Sequence, residues 1–233
     1  MKREIPLDVF LSEVEHINEK FFPIMYIPNH FREAEPANLF KLVEGNPLGT
    51  LITQGAQGLN ANHIPFDLKR AKEGNGGSLF GHLARANPAL VDLGQAKEVL
   101  IIFQGANGYI SPSWYETKKE SGKVVPTWNY SAVHIWGKPE IHDDPIWLAS
   151  HLDELTRNHE EAREKSWQVS DAPDDFIEKS IKAIVGVSIS ISRIEGKWKM
   201  SQNRNEADLK GVLAGLESEQ GELPQAMRDF YHE

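Results

Sequence analysis

The chain contains no cysteine among its 233 residues. Disulfide bridges, thiolate metal ligands and cysteine nucleophiles are therefore excluded, and this composition is typical of a reducing compartment. Long hydrophobic runs are also missing, since the longest purely apolar stretch is residues 99–103, which is far too short to cross a bilayer. Acidic residues closely follow Lys2 and Arg3, so the apolar block of a secretory signal is absent. These absences predict a cytoplasmic protein with no membrane contact.

Positive charge is in the minority, because 25 lysines and arginines stand against 34 acidic residues, for a net charge of −9. Such a chain as a whole repels a phosphate backbone, so direct nucleic-acid binding would need a local basic patch. No metal site is predicted, because His151 and His159 lack the i, i+4 spacing of a metalloprotease helix. A glycine-rich nucleotide loop and an ordered Ser-His-Asp set are not identifiable either.

The hydrophobic pattern changes along the chain from helical to strand periodicity. Residues 1–24 carry apolar side chains at helical spacing, and Pro36 begins a second, short helix. The predicted strands are residues 48–53, 59–68, 78–83, 98–104, 107–111, 125–141 and 185–200. Here residues 107–111 turn back on residues 98–104 after a glycine-containing turn. Helices are predicted at 145–165, 173–184 and near 206–216, and the remaining residues as a loosely held tail.

Aromatic residues concentrate in one segment of the chain. Half of the six tryptophans lie in residues 107–138, together with three tyrosines and His134. Large flat side chains with a polar tip favour stacked contacts, and the Ser, Thr and Asn residues between them can hydrogen-bond the edge of a flat ligand. We therefore interpret this segment as a binding surface. Trp136 is an exception, because its place beside Ile135 on the long strand favours a core role.

The second informative motif is GHLARANP, residues 81–88, where a predicted strand leads into a helical turn. An arginine at such a turn can offer its guanidinium, together with backbone N–H groups and the helix dipole, to one anion, usually a phosphate. We predict that Arg85 has this role; the alternative is an ordinary surface arginine. Polar or basic residues also lie near strand ends in NHIPF (62–66) and KWKMSQN (197–203), where barrel ligands usually bind.

Taken together, NHIPF, GHLARANP, SPSWY, VPTWNYSAVHIWGK and KMSQNR resemble the PaiB-like proteins, known as FMN-binding negative transcriptional regulators. The resemblance covers residue 25 to about residue 216. Such proteins are similar to the FMN-binding split barrels related to pyridoxamine-phosphate oxidase. The resemblance implies a mainly β fold with helical additions (α+β), namely an antiparallel split β-barrel of Greek-key type. It also implies a homodimer that holds FMN where the two subunits meet.

The resemblance also divides the chain. Residues 1–24 would be an N-terminal helical extension, either a genuine helix or the product of an upstream start codon. Residues 25–216 would be the FMN-binding domain, with helices inserted at 145–184, and residues 217–233 a C-terminal tail.

A set of cofactor-binding residues follows from the resemblance: Asn62, His63, His82, Arg85, Asn87, Ser111, Trp114, Thr127, Trp128, Asn129, Lys199 and Gln202. Arg85 would hold the phosphate. The oxidase relatives carry an arginine-lysine pair at this turn, whereas this chain has Arg85-Ala86, so His82 and Lys199 are the candidates for the remaining phosphate contact. Asn62, His63 and Gln202 would meet the polar edge of the ring, and Trp114 or Trp128 from a second subunit would cover its face. The open alternatives are His63 as a core or edge group, the two tryptophans as barrel plugs, and Gln202 as a helix cap.

Three functions are consistent with these residues. The first is an FMN-binding negative transcriptional regulator that acts directly on DNA or through a regulatory protein partner. The second is an FMN-dependent oxidoreductase, for which Tyr115, Tyr130 and His134 are the candidate proton donors. The third is a haem-binding or haem-utilisation protein, because some related split barrels handle haem.

Overall fold

The structure, a computed structural model, describes residues 25–71 and 76–232. The helix predicted for residues 1–24 lies outside these ranges. The strands are β1 (Arg32–Glu33), β2 (Leu48–Gly55), β3 (Gly58–Pro65), β4 (Asp67–Arg70), β5 (Gly77–Ala84), β6 (Val99–Ile110), β7 (Thr127–His142) and β8 (Ile184–Lys199). The α-helices are α1 (Pro36–Gly45), α2 (Ala89–Gln95), α3 (Thr117–Ser121), α4 (Pro145–Glu160), α5 (Asp174–Lys182), α6 (Glu206–Leu216) and α7 (Leu223–His232).

All strands belong to one antiparallel sheet in the order β3-β2-β6-β7-β8-β5-β4, with β1 on β8. Alternate residues of the central strands, such as Phe103, Val133 and Ile135, are fully buried in the main core. The sheet curls around that core because one face of every strand must leave water. The predicted fold, a mainly β split barrel with helical additions, is confirmed.

The predicted strand 59–68 is two strands in the structure. The chain bends at Phe66, whose N–H donates to the Pro47 carbonyl at 2.9 Å and whose ring is buried in the core. β3 therefore pairs with β2, whereas β4 crosses to pair with β5 at the other edge of the sheet. The free energy gained by burying the Phe66 ring therefore outweighs the local pattern that predicted a single strand over residues 59–68.

The turn predicted between residues 104 and 107 is wrong. β6 runs through these residues as one strand, and its register against β7 shifts between Gln104 and Asn107, which is a β-bulge. The two halves of β6 both pair with β7, so residues 107–111 extend the strand instead of turning back. Glycine next to a strand end indicated a turn, but the long partner β7 keeps the chain extended.

The prediction of a loosely held tail is also wrong, because residues 223–232 form α7. Leu223 and Met227 of this helix are buried in a second hydrophobic cluster with Ile110 and Tyr115. The Tyr231 hydroxyl donates to the Met200 carbonyl at 2.7 Å. No helix within the described ranges is long and apolar enough to cross a bilayer.

Candidate functional site

The aromatic motif places its rings on one side of β7. Val133 and Ile135 face the barrel core, so the alternate positions of the same strand face away from it. These positions carry Trp128, Tyr130 and His134 and, farther along, Trp136. The cross-strand partner of Tyr130 is Lys199, and that of Ala132 is Lys197. We call the surface formed by Trp128, Tyr130, His134, Trp136, Lys197 and Lys199 the outer face.

The outer face continues across the sheet to the edge strand. Cross-strand pairs connect His63 to Thr50, Thr50 to Ile102, and Ile102 to His134. A parallel row connects Ile52 through Leu100 to Trp136. The first of these rows places His63 on the outer face, where its side chain is exposed. Half-buried isoleucine and leucine side chains fill the middle of the same surface.

A basic cluster lies at the β8 end of the outer face: it consists of Lys197 and Lys199, together with Arg204, which is near enough to Lys199 to repel its charge and stacks on the buried Tyr115 ring at 4.5 Å. The Lys199 ammonium donates to the Thr127 hydroxyl, and to the Trp128 carbonyl at 2.6 Å. Burial lowers the pKa of Lys199, and the nearby charges of Lys197 and Arg204 lower it further. Within residues 25–71 and 76–232, no ion pair connects these three cations to a carboxylate. The cluster is therefore an uncompensated positive site, partly shielded from water.

Two exposed aromatic rings stand beside the basic cluster. Trp128 and its cross-strand partner Tyr109 are each 50% exposed, with ring centroids 6.4 Å apart. The Trp128 indole N–H donates to the Asn107 side-chain oxygen at 3.3 Å, which orients the ring. Exposed large rings next to unpaired cations can take a flat anionic ligand, with stacking on one part and charge pairing on the other.

His134 is the half-buried titratable group near the centre of the outer face. Burial lowers its pKa; Glu195 opposes this shift and Lys197 adds to it. The ring is therefore neutral at pH 7, with one nitrogen able to donate and the other to accept. Trp136 is buried, as predicted, but on this face and not in the main core, beneath the Arg193 guanidinium at 4.0 Å.

Arg85 is occupied by protein groups. Its guanidinium forms two hydrogen bonds with the Asp143 carboxylate, at 2.6 and 3.0 Å, and donates to the carbonyls of Lys182 and Ile184. The ion pair with Asp143 raises the pKa of Arg85 and lowers that of the carboxyl. A phosphate at this corner would have to displace Asp143. The role of Arg85 as phosphate ligand stays a prediction, and the bonds observed here favour its tying the β5 corner to the start of β8.

His82 contacts a helix rather than an open anion site. Its Nδ1 lies 3.1 Å from Nε2 of His151 on α4, and His151 stacks on Trp147. Burial, and then repulsion by His82, lowers the pKa of His151 to about 4. Both rings are therefore uncharged near neutral pH. The pair connects β5 to the inserted helix.

Asn62 and Asn87 bond to each other. The Asn87 amide donates to the Asn62 side-chain oxygen at 2.9 Å, and its own oxygen accepts from the Ala89 N–H at 3.0 Å at the start of α2. Asn62 pairs with the core residue Leu51, so it faces away from the outer face. These two asparagines are placed to fix α2 against the sheet.

Four other predicted residues hold the C-terminal half together. Trp114 packs against α6, where its ring would be 2.4 Å from a Cβ at Gly215. Asn129 is fully buried, and its amide donates to the Ser201 hydroxyl at 2.9 Å. Ser111 accepts from the Ser113 N–H, and Gln202 bonds to the backbone around Met200. Of the predicted set, only His63, Thr127, Trp128 and Lys199 belong to or border the outer face.

Arg85 and Lys199 are not brought together within one chain. Arg85 bonds to residues 182–184, where β8 begins, and Lys199 is the last residue of that strand. A strand rises about 3.3 Å per residue, so the two side chains are separated by tens of ångströms along β8. That both residues of one subunit hold the same phosphate stays a prediction, which this separation along β8 does not favour.

The outer face is the part of the described structure that fits a flavin phosphate. It offers uncompensated cations, exposed rings and polar groups at one strand end, which is the donor set that a phosphorylated flat ring needs. A cavity of about 870 Å³ near α1 and α7 has Glu33, Glu222 and Asp229 in its lining instead and would repel a dianion. Lys197 and Arg204 were missed as site residues, whereas Tyr109 and Tyr130 were predicted only as members of the aromatic segment, Tyr130 also as a candidate proton donor. The i, i+2 spacing of Lys197 and Lys199 was a usable signal, because it places both on one face of a strand.

Comparison with known families decides the identity of the domain. Residues 25–193 match the family described as "Putative FMN-binding domain". This chain belongs to that family. The match begins at Met25, where the resemblance begins, and the predicted cofactor, FMN, is the one that the family description states. The domain boundary after residue 216 stays a prediction.

Two relatives each match more than four-fifths of this FMN-binding-domain protein. An uncharacterised protein of Emericella nidulans is 37% identical over 228 residues, covering 83% of this chain and 91% of the relative. "Protease synthase and sporulation protein PAI 2" of Bacillus subtilis is 32% identical over 206 residues, covering 88% and 96%. The predicted likeness to PaiB-like proteins is therefore confirmed.

Solved structures share the fold at low sequence identity. The "FAD and Heme binding protein" of Mycobacterium smegmatis superposes with a TM-score of 0.55 at 17% identity, covering 79% of this chain and 80% of that one. The flavocytochrome Anf3 of Azotobacter vinelandii has a TM-score of 0.53 at 14% identity, covering 79% and 78%. At such identities, the likeness concerns the fold alone.

Proposed function

We propose that this protein binds FMN on the outer face, between two copies of the chain. The observation that carries the proposal is the basic cluster, which has no carboxylate partner among the described residues, beside the exposed rings of Trp128 and Tyr109. Lys197, Lys199 and Arg204 would pair with the phosphate, which is a stronger contact than neutral hydrogen bonds provide. A phosphate dianion there would also relieve the mutual repulsion of the three cations.

The rest of the outer face orients the flavin ring. Trp128 and Tyr130 would stack on it, and the neutral His134 ring would hydrogen-bond its polar edge. His63 would meet the ring from the edge strand, as the sequence suggested. A bound flavin supplies electron-transfer chemistry, and the protein contributes binding, orientation and exclusion of water.

The homodimer is part of the proposal. Ile52, Leu100 and Ile102 lie half-buried on the outer face of a single chain, whereas a flat sheet face that stays in water usually carries polar residues. A second copy packed on this face would bury these side chains and close the flavin site. Obligate dimer faces have this apolar centre with polar residues around it.

A negative regulatory role is the function that we infer for the flavin-bound dimer, exerted through a protein partner. The net charge of −9 opposes the approach of DNA, and the basic cluster is assigned to the flavin phosphate. Retardation of promoter fragments at physiological salt by the purified protein alone would contradict this route. The cytoplasmic location, inferred from the sequence, stays a prediction.

An FMN-dependent oxidoreductase is the second candidate, and His134 favours it. A neutral histidine beside the ring could accept a proton, as a general base, from a substrate that the flavin oxidises. Rapid mixing with NADH or NADPH separates the candidates, because an enzyme bleaches the flavin absorption band and a purely regulatory binder does not. Haem binding also stays a prediction, and a titration without a Soret shift would remove it.

The decisive experiment is calorimetric titration of the flavin-free protein with FMN and with riboflavin. We expect FMN to bind at one site per subunit and riboflavin at least tenfold more weakly, because it lacks the phosphate. Equal affinities would contradict a phosphate site in the basic cluster. No heat with either ligand, and no yellow colour after purification, would remove the proposed function.

A further inference from the structure

A large cavity opens at one end of the barrel interior, between α1, the β6 bulge and α7. Its volume is about 870 Å³, within the roughly 300–1,000 Å³ of typical small-molecule sites. Ser131 and its cross-strand partner Trp198 line it. Ser131 lies on the same side of β7 as Val133, so the cavity and the outer face are on opposite sides of the sheet.

Ser131 is the polar group that indicates a ligand. Its residue is only 5% exposed, and its hydroxyl has no hydrogen-bond partner anywhere in the described chain. A Cβ at Gly105 would lie 2.5 Å from the Ser131 hydroxyl oxygen and 3.2 Å from Leu42. Glycine in the bulge therefore keeps the space in front of the hydroxyl open. The hydroxyl oxygen is not among the fully enclosed side-chain atoms that lack a partner in the described residues, so it opens to the cavity and can bond to a ligand there.

The charge and shape of the cavity define the class of ligand. Its acidic side chains are Glu33, Glu222 and Asp229, against one lysine, Lys41, among the described lining residues. The Asn38 amide donates to Glu33 at 3.2 Å and so holds that carboxylate. The Gln225 amide donates to Asp229 at 2.6 Å in the same way.

Apolar surface accompanies this charge. Trp198, Phe230 and Leu42 line the cavity beside the carboxylates. Aromatic faces and carboxylates both attract a positively charged nitrogen, and the rings also cover an apolar body.

We propose that this cavity binds a small organic cation, an ammonium group carried on a flat or apolar body. The ammonium would donate to the acidic side chains and to the free Ser131 hydroxyl, and the body would lie against Trp198 and Phe230. This site is separate from the proposed FMN site and does not depend on it.

Three probes of one shape test the proposal. The full chain is titrated in a calorimeter with 2-phenylethylamine, with neutral 2-phenylethanol and with anionic phenylacetate. We expect the amine to bind, the alcohol to bind at least tenfold more weakly, and phenylacetate not to bind. Equal binding of amine and alcohol, or absence of binding by all three, overturns the proposal. We expect saturating FMN to leave amine binding unchanged, and mutual displacement also overturns it.

Substitutions assign the binding to this cavity. The double variant Glu222→Gln, Asp229→Asn changes exposed side chains, and we expect it to bind the amine about tenfold more weakly. The matched control Glu164→Gln, Glu178→Gln makes the same charge change on exposed residues away from the cavity and should keep the parental affinity. Ser131→Val replaces the hydroxyl by a methyl group and adds a second methyl group that fills part of the cavity. This variant should abolish binding. Unchanged affinity in the double variant, or the same loss in the control, contradicts the assignment.

Discussion

At the scale of single residues, the placement of positive charge is the main result. Lys199 is half-buried near two other cations, and its pKa is lowered by burial first and by their charges second. Arg85, by contrast, has a carboxylate partner in Asp143. A cation bonded only to neutral groups, as Lys199 is in the described residues, can gain a charge-assisted hydrogen bond from a new anion, whereas a cation paired with a carboxylate must first give that bond up.

The charge of Lys199 can be tested directly. We expect Lys199→Met to weaken FMN binding roughly tenfold or more, because a bond to a charged group contributes about 1.5–3 kcal/mol. Calorimetry or flavin fluorescence measures the change. Lys138→Met, at an exposed position farther along β7, is the control and should bind FMN as the parent does. Parental affinity in the Lys199 variant would remove this residue from the site.

Arg85 and Asp143 provide a paired test of the phosphate role predicted from the motif. If Arg85 only ties β5 to β8, Arg85→Ala and Asp143→Asn leave FMN affinity unchanged, which is the outcome that the observed bonds favour. If a phosphate displaces Asp143, Arg85→Ala weakens binding and Asp143→Asn strengthens it. Flavin titration of both variants distinguishes the two outcomes by the sign of the second effect.

At the scale of elements, two helices are fixed to the barrel by buried side chains. α7 covers the β6 bulge end of the core through Leu223 and Met227. α4 contacts β5 through the His82–His151 pair and the stacked Trp147. Each contact predicts a measurable effect on stability.

The contribution of α7 is tested at Met227, which is fully buried and accepts from the Asn129 amide at 3.3 Å. Met227→Ala should lower the free energy of unfolding by about 2–5 kcal/mol through lost burial and a residual cavity. Arg228→Ala, an exposed change on the same helix, should stay within about 0.5 kcal/mol of the parent. Denaturant unfolding measures both, and a small effect at Met227 would restore the picture of a loose tail.

The histidine pair predicts a pH dependence of stability. The pKa of His151 is about 4 in the folded chain against an ordinary value of 6.5, so the unfolded chain binds more protons between these values. The contribution of His151 to the free energy of unfolding is therefore fully present above pH 6.5 and is lost as the pH falls toward 4. The loss is at most about 3 kcal/mol. His82, whose pKa is also lowered, adds to the loss, while Asp67, whose pKa is raised by burial, opposes it just above pH 3.8.

Unfolding curves at pH 5 and pH 7 measure this loss. His151→Gln should reduce the difference between the two pH values. His63→Gln, at an exposed position, should leave it unchanged. An equal pH dependence in the parent and the His151 variant would show that the pair is not its source.

At the scale of the whole molecule, a single chain leaves the outer face incomplete. Its half-buried isoleucine and leucine side chains and its exposed aromatic rings cluster on one side of the sheet. A second copy there, as proposed, would explain both the apolar centre and the partial exposure of the groups that we propose to bind flavin.

Ile102→Glu tests the dimer. A charge in the middle of the outer face should convert dimers to monomers in light scattering and weaken FMN binding in the same preparation, because buried unpaired charge is strongly unfavourable. Ile146→Glu, at an exposed position on α4, is the matched control and should leave mass and affinity unchanged. A dimer that survives the Ile102 change would place the interface elsewhere.

Most elements follow from local pattern. The strict alternation in VSISISRI predicts β8, and the helix at Glu206–Leu216 agrees with its sequence signals. The errors occur where distant contacts override that pattern. Phe66 breaks a strand because the core buries its ring, and the glycines near Asn107 form a bulge because β7 pairs on both sides of them.

The family, the cofactor and the strand that carries the aromatic motif can all be predicted from the chain, because they depend on residue types and on their spacing. The pairing of Arg85 with Asp143 and the place of Lys199 in a cluster at the opposite end of β8 became visible in the folded chain. Burial and charge pairing depend on distances between residues far apart in the chain, and no local pattern encodes those distances.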